Sequence, residues 1–409
     1  MNGEIMEKKN LKKNDIITII NKDDEIVAET KRIKSRQLIY GFLIILLMNL
    51  LFFVYLNIFD KRLQQNQFMS FQNNDNLLKI KNDLLKKTSM IQNLVNIIDN
   101  FIKNPKSILK MNSQFNEIIS QKFFLHQFYF CQNQNLFNNS LIEKEIKITK
   151  ANLNKVSFDM FVYKKNDVVS NSILDFGSWE PKETKSLSDS LSYYSKKNNI
   201  SENDIFILDI GANIGWYSLF FGKNGFNVIS FEPSKINYYI LLKNFCLNQD
   251  ISMTIINKGL DIIENNSTLY HPFSNLGNAY IFDNNIKINK SEYFAEEIRV
   301  NKLSNYIGYL KDKNLALIKL DIEGSEGKAI KSGIDLIIKY HIPFIFMEFQ
   351  PNLLNKKGTE PKSFLDMFEN NGYKISEKDF LSQNYITIDE LLKKTQTNIY
   401  LVYTKFLDQ

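Results

Sequence analysis

Hydrophobic and polar positions divide the chain into zones of different character. Residues 1–37 are polar and carry both signs of charge, with one short apolar patch at Ile16–Ile20, the composition of a disordered tail. Leu38–Phe59 then runs without a charge for about 22 residues, enough to cross the hydrocarbon core of a bilayer. It is apolar on every face apart from Asn49 and Asn57, unlike a helix buried in a globular core, and it has no small-residue cleavage site of the signal-peptide kind. Between Asn73 and Lys103 the apolar residues Leu77, Ile80, Leu84, Ile91, Leu94, Ile98 and Phe101 follow steps of three and four, broken only by Lys87. A coiled-coil stalk that makes a homodimer fits this seam, and an amphipathic helix packed on its own domain fits it equally. Pro105 ends the stretch, and an aromatic-rich region around QKFFLHQFYF follows without a functional reading.

From Glu143 the pattern changes to strands and helices. Glu143–Tyr163 alternates as two strands joined near Asn152–Asn154, and Ser186–Lys197 reads as a lead-in helix. Ile205–Ile210 is a short apolar run suited to a strand buried on both faces, followed by the turn Gly211-Ala212-Asn213-Ile214-Gly215, a helix from Trp216 to Gly225, and a strand from Asn227 to Phe231 that ends in Glu232. A helix over Lys235–Asn248, strands over Met253–Asn257, Leu315–Leu320 and Pro343–Phe349, one helix from the Asp321 cluster to about Tyr340, a helix over Pro361–Asn371, and final strands at Tyr373–Ile375 and Asn398–Lys405 complete the expectation. The chain therefore reads as a tail (1–37), a transmembrane helix (38–59), a helical stalk or linker (60–143), an extension (144–200) and an α/β domain (201–409).

The strand-turn-helix-strand unit points to a nucleotide. A glycine turn at the carboxyl edge of a parallel strand lets the backbone approach a ligand, and a carboxylate such as Glu232 accepts two hydrogen bonds from a ribose diol. A dinucleotide fingerprint has glycine two residues after the first, where this chain has Asn213, and Asp209 just before the turn repels a pyrophosphate. A cationic ligand without phosphate fits better, and S-adenosylmethionine is one.

LDIGANIGWYS, then SFEP at Ser230–Pro233 and LIKLDIEGSE at Leu317–Glu326, resemble the FkbM family of S-adenosylmethionine-dependent methyltransferases, over roughly Lys144–Thr404. The resemblance implies a Rossmann-like seven-stranded methyltransferase sheet, with Asp209, Gly211, Asn213, Gly215, Glu232 and Asp321 holding the cofactor. It implies a sugar or natural-product hydroxyl as acceptor. By the same resemblance Asp167, Ser170, Trp179 and Glu180 lie near the mouth of the cofactor site, with Asn275 and Asn278 facing the ligands and His271 in the same loop. A hydroxyl is a weak acid, so methyl transfer needs a positioned base or a metal. Asp321 is the first candidate for the base or substrate holder, with Glu323 and Glu348 behind it. The acidic cluster could hold a divalent cation, but nothing in the spacing demands one, and Glu323 is equally explained as a helix-start carboxylate. His271 alone reads more simply as a surface residue, and Lys319, alternating with apolar neighbours, as pointing off the core face.

Composition adds bounds. A net charge of +6 spread over many lysines leaves no nucleic-acid footprint, and a 44% hydrophobic fraction is ample for a core. Cys131 and Cys246, far apart and without close spacing, exclude a disulfide framework and a cysteine zinc site. Lys31, Arg32, Lys34 and Arg36 before the span outweigh Lys61 and Arg62 after it, which predicts a type II protein with its domain in a lumen, against the alternative of a cytosol-facing domain. Sequons at Asn138, Asn199, Asn265, Asn266 and Asn289 are compatible with a lumen. The expectation is thus a membrane-anchored S-adenosylmethionine-dependent O-methyltransferase acting on a glycan hydroxyl. A catalytically inactive methyltransferase-like scaffold at a membrane, or a methyltransferase with a protein or small-molecule acceptor, are the alternatives.

Overall fold

The computed structural model describes residues 123, 126–134, 139–281, 289 and 291–408. All of them belong to the second of the two units into which the chain divides, Leu94–Gln409. The expected tail, the Leu38–Phe59 span and the Asn73–Lys103 seam lie outside the described residues, among which no helix is long and apolar enough to cross a membrane.

The hairpin comes first, as β1 (Ile146–Leu153) and β2 (Val156–Tyr163). Its register pairs Leu153 with Val156, so the turn is Asn154-Lys155, with Asn154 at φ 57°. The stretch Asp167–Pro181 contains helix α1 (Val168–Phe176), capped by the Asp167 carboxylate and ended by Gly177 in the left-handed region. Helix α2 (Pro181–Asn198) follows and starts five residues before the expected lead-in helix.

The central sheet then forms as read. Strands β3 (Ile205–Ile210), β4 (Asn227–Phe231), β5 (Met253–Ile256), β9 (Asn314–Leu320), β10 (Phe344–Phe349), β11 (Tyr373–Ser376) and β12 (Thr397–Tyr403) assemble in the order β11-β12-β10-β9-β3-β4-β5. All neighbours are parallel except β12, which runs antiparallel to both β10 and β11. Because β3 pairs with β4 on one side and β9 on the other, the chain reverses its direction of winding at β3 and β9, and a crevice opens at their carboxyl ends. Helices α3 (Trp216–Lys223) and α4 (Lys235–Leu247) cover one face. Side chains of β3 alternate between two cores, Ile207 in one and Leu208 and Ile210 in the other. A separate three-stranded sheet of β6 (Gly259–Leu260), β7 (Asn265–Pro272) and β8 (Tyr293–Asn301) lies between β5 and β9 in the chain and was not expected.

Three expectations need correction. The helix after Asp321 is two helices, α5 (Glu326–Lys331) and Ile334–Tyr340, with Gly333 between them outside the helical region (φ −142°, ψ 28°) and packed so closely on Leu303 that a Cβ there would lie 2.6 Å from its Cγ. Cys131 and Cys246 form a disulfide, with Cα atoms 5.3 Å apart across 115 residues of sequence. It ties the segment 126–134 to α4, and Gln127 from the same segment bonds Met253 O and Ile255 N (both 3.0 Å), covering the open edge of β5. Lys319, finally, is buried inside the fold and does not point off it.

Candidate cofactor site

The turn after β3 is built from the backbone outward. Gly211 N and Ala212 N both donate to Phe231 O at 2.9 and 3.0 Å, Asn213 N donates to Glu232 Oε2 at 2.8 Å, Ile214 N to Asn213 Oδ1 at 2.7 Å, and Gly215 N to Ala212 O at 2.9 Å. Every amide of the turn is therefore used within the protein. Gly211 has φ 79°, and a Cβ on it would meet Asp321 O at 2.0 Å, so glycine is required for the turn to lie against the end of β9. Gly215 faces Leu241 of α4 in the same way, with a Cβ 2.4 Å from Cδ1.

Glu232 is buried, and its other oxygen accepts from Ser234 N at 2.9 Å. Burial raises its pKa to about 7 despite these two amide bonds. Asn257 donates to the carbonyls of Glu232 and Pro233 and so fixes the loop after β4.

Asp209 and Lys319 are register partners on β3 and β9. Asp209 Oδ2 accepts from Ser218 Oγ at 2.6 Å, and Oδ1 stands 3.4 Å from Lys319 Nζ. That ammonium donates to Gly211 O at 2.9 Å and lies 3.8 Å from Asp321 Oδ2. Burial works against its charge, but Asp209, Asp321 and Glu180 more than offset this and raise its pKa. Sequence reading missed Lys319 because a lysine flanked by apolar residues has the pattern of a solvated position; only Asp209, facing it on β3, reveals the pairing.

Asp321, Glu323 and Glu348 converge as expected, one oxygen of each lying within 4.8 Å of the others. A divalent cation could bridge such a spacing, and nothing else at the site indicates one. The Asp321 side chain is 40% exposed. Burial and then the charges of Asp321, Glu348 and Glu326 push Glu323 up to about 9, whereas Glu348 is raised by burial and Asp321 but steadied by amides from Gln350 and Gln396. Glu323 has φ 55°. With Asn213 (53°) and Glu180 (42°) it makes three of the eight described non-glycine residues with positive φ, a clustering of backbone strain at the crevice.

The residues expected around the acceptor divide into two groups. Asp167 is buried and committed, accepting from Ser170 N (2.7 Å) and Gly277 N (3.1 Å), while Ser170 Oγ accepts from Tyr163 N. Asn275 accepts from Val168 N, so these contacts strap the loop 275–278 to the start of α1. His271 is fully buried and not a surface residue, bonding Leu276 O and Glu296 through its two ring nitrogens. Asn278 donates to Tyr280 OH at 2.9 Å and also bonds Glu323, and Tyr280 feels the charges of Glu323 and Glu348; both therefore face the acidic cluster. Trp179 packs half-buried against the core, and Glu180 accepts from Tyr217 OH at 2.6 Å.

Taken together, the crevice carries Asp209, Glu180 and Asp321 around one ammonium, has Glu232 at the end of the neighbouring strand, and offers no free turn amide. Such a donor set fits a cationic ligand without phosphate and does not fit a pyrophosphate, which needs unpaired amides or cations.

No curated protein matches the sequence. Among solved structures the chain is similar to the bifunctional kinase-methyltransferase WbdD, at 11% identity over 57% of this chain and 41% of that one, with a TM-score of 0.34. The chain thus spans about two fifths of the length of that relative. It is also similar to the Pyrococcus abyssi tRNA (uracil-54, C5)-methyltransferase in complex with S-adenosyl-L-homocysteine, at 11% identity over 63% and 43% of the two chains, with a TM-score of 0.30. A third is precorrin-6y C5,15-methyltransferase from Geobacter metallireducens GS-15, at 10% identity over 53% and 88%, with a TM-score of 0.27. The stretch that holds the glycine turn, Glu232 and the acidic cluster matches a family model directly: residues 209–375 match the methyltransferase FkbM domain.

Proposed function

We propose that the chain is an S-adenosylmethionine-dependent O-methyltransferase that modifies a hydroxyl of a sugar or glycan. The observation that carries the cofactor is the turn itself: its five amides are paired inside the protein, and the surrounding charge is negative, which suits adenosine joined to a sulfonium and disfavours a dinucleotide. Glu232 keeps a second lone pair on each oxygen for a ribose diol.

When bound, S-adenosylmethionine supplies the methyl group and a good leaving group; the chain aligns the acceptor and takes its proton. Asp321, with its side chain 40% exposed and beside Lys319, is the first candidate for that base, with Glu348 next to it. Glu323, with a pKa near 9, carries a proton at neutral pH and donates a hydrogen bond to the acceptor. Tyr280 and Asn278 form the opposite wall, an aromatic ring and an amide of the kind that bind sugars.

The same reading places the chain in a membrane through Leu38–Phe59, with residues 1–37 cytoplasmic and the domain lumenal. The Cys131–Cys246 disulfide supports the lumenal side, because such bonds persist in oxidising compartments. The test is transfer of tritiated methyl from S-adenosylmethionine by the full-length chain in detergent to a panel of unmethylated oligosaccharides. Alkali-stable, hydroxyl-linked label that is lost with Asp321→Asn supports the reading. Label on amines or proteins instead would move the acceptor class, and cofactor binding without transfer to any acceptor would favour a scaffold.

A further inference from the structure

Glu180 lies outside the stretch that matches the family domain, and the structure gives it a position that its place in the sequence does not suggest. It precedes Pro181 at the start of α2 with φ 42°, a conformation that is costly for a non-glycine residue and persists only when its surroundings enforce it. The enforcing contacts are visible. Thr184 N donates to Glu180 O at 2.9 Å, Thr184 Oγ1 donates to Trp179 O, and Trp216 Nε1 donates to Thr184 Oγ1 at 3.0 Å, pinning the start of α2 to the start of α3. The outcome is that Glu180 Oε2 meets Tyr217 OH, one residue beyond Trp216 and just past the glycine turn.

From there a continuous path leads to the turn. The Tyr217 ring is 5.3 Å from Lys319 Nζ, and Lys319 donates to Gly211 O. The lysine ammonium is already shared between Asp209 and Asp321, so among the described residues Glu180 has no cation of its own within ion-pair distance, and its Oε1 has no hydrogen-bond partner. Three carboxylates around one ammonium leave negative charge uncompensated in a half-buried place, which is costly unless a ligand brings the missing cation.

We propose that Glu180 recognises the α-ammonium group of S-adenosylmethionine, with Tyr217 holding its carboxylate in place. This rests on the cofactor reading above and deepens it by assigning the amino-acid end of the ligand to a residue of the extension. Burial raises the Glu180 pKa to about 7, against the bond from Tyr217; Asp321 and Glu183 raise it further and Lys319 lowers it. Binding an ammonium there therefore releases a proton near neutral pH and tightens as pH rises through 7.

The experiment is calorimetric titration of the full-length chain with S-adenosylmethionine and with 5′-methylthioadenosine, which keeps the adenosine but lacks the amino-acid end. The expected result is that Glu180→Gln, which preserves the hydrogen bond from Tyr217, weakens S-adenosylmethionine at least tenfold and leaves 5′-methylthioadenosine within twofold. The rise in affinity between pH 6 and pH 8 should be lost in the same variant. Equal weakening of both ligands would show a structural role and overturn the proposal, as would unchanged binding of both. Tyr217→Phe gives an independent check, with the same selectivity for S-adenosylmethionine expected in weaker form. Failure of the unaltered chain to bind either ligand would instead sink the cofactor reading, and this inference with it.

Discussion

Lys319 Nζ donates a hydrogen bond to the carbonyl oxygen of Gly211, 108 residues earlier in the chain, at 2.9 Å. Through that bond one buried ammonium holds the turn after β3, balances Asp209 and faces Asp321. Replacing it with methionine keeps the volume and strands Asp209 without a counter-charge. We expect Lys319→Met to lose about 3–5 kcal/mol in urea unfolding, and Lys319→Met combined with Asp209→Asn to recover part of that loss. Equal stability of Lys319→Met and the unaltered chain would contradict this account of the ion pair.

Gly211 and Gly358 share a φ of 79°, but a Cβ on Gly211 would strike Asp321 O, whereas one on Gly358 would meet nothing within 4 Å. Gly358→Ala should cost about 1 kcal/mol, from backbone conformation alone. Gly211→Ala should cost at least about 2 kcal/mol more, because the clash is with backbone that cannot rotate away. Thermal denaturation of the two variants separates the terms, and equal costs would show that the turn does not lie against β9.

The raised carboxyls make stability depend on pH. Burial lifts Glu232 and Glu326 from 4.5 to about 7 and Glu323 to about 9. Between the unfolded and folded values the folded chain holds more protons than the unfolded one, so their stabilising effect is complete below about 4.5 and is lost as pH rises through 7 to 9. The melting temperature should therefore fall between pH 5 and pH 9, and Glu323→Gln should flatten the upper part of that fall. A melting temperature that rises over this range would contradict the assigned burial.

Reduction should matter as well. The Cys131–Cys246 bond closes a loop with a sequence separation of 115 residues, and removing a native disulfide typically costs about 2–5 kcal/mol. Native protein should show no reactive thiol, and a reductant should lower the unfolding midpoint by a corresponding amount. Two titratable thiols in unreduced protein would remove both the bond and its support for a lumenal domain.

The parts of this structure legible in the sequence are those where one interaction dominates. Ile205–Ile210 and Asn227–Phe231 form strands within the expected bounds because a strand buried on both faces needs an unbroken apolar run, and few other elements use one that short. The turn and Glu232 were legible because glycines and an acid at strand ends have few other uses. In contrast, β7 reads NNSTLYHP and buries only Leu269 and His271, so its pairing with β8 depends on backbone hydrogen bonds that leave little trace in side-chain polarity. The helix break at Gly333 comes with its packing on Leu303; the pairing of Cys131 with Cys246 depends on the packing of a segment 115 residues away, and the position of Glu180 on Tyr217 and Thr184. Each is a long-range contact, and no local pattern encodes it.

The central claim is that the Gly211 turn with Glu232 holds S-adenosylmethionine. Isothermal titration of the full-length chain with S-adenosylmethionine and, separately, with NAD tests it most directly, repeated for Glu232→Ala with the fold checked by circular dichroism. The account predicts that S-adenosylmethionine binds, that NAD does not, and that the variant loses binding while remaining folded. Binding of NAD, or no binding of S-adenosylmethionine to folded protein, would contradict it.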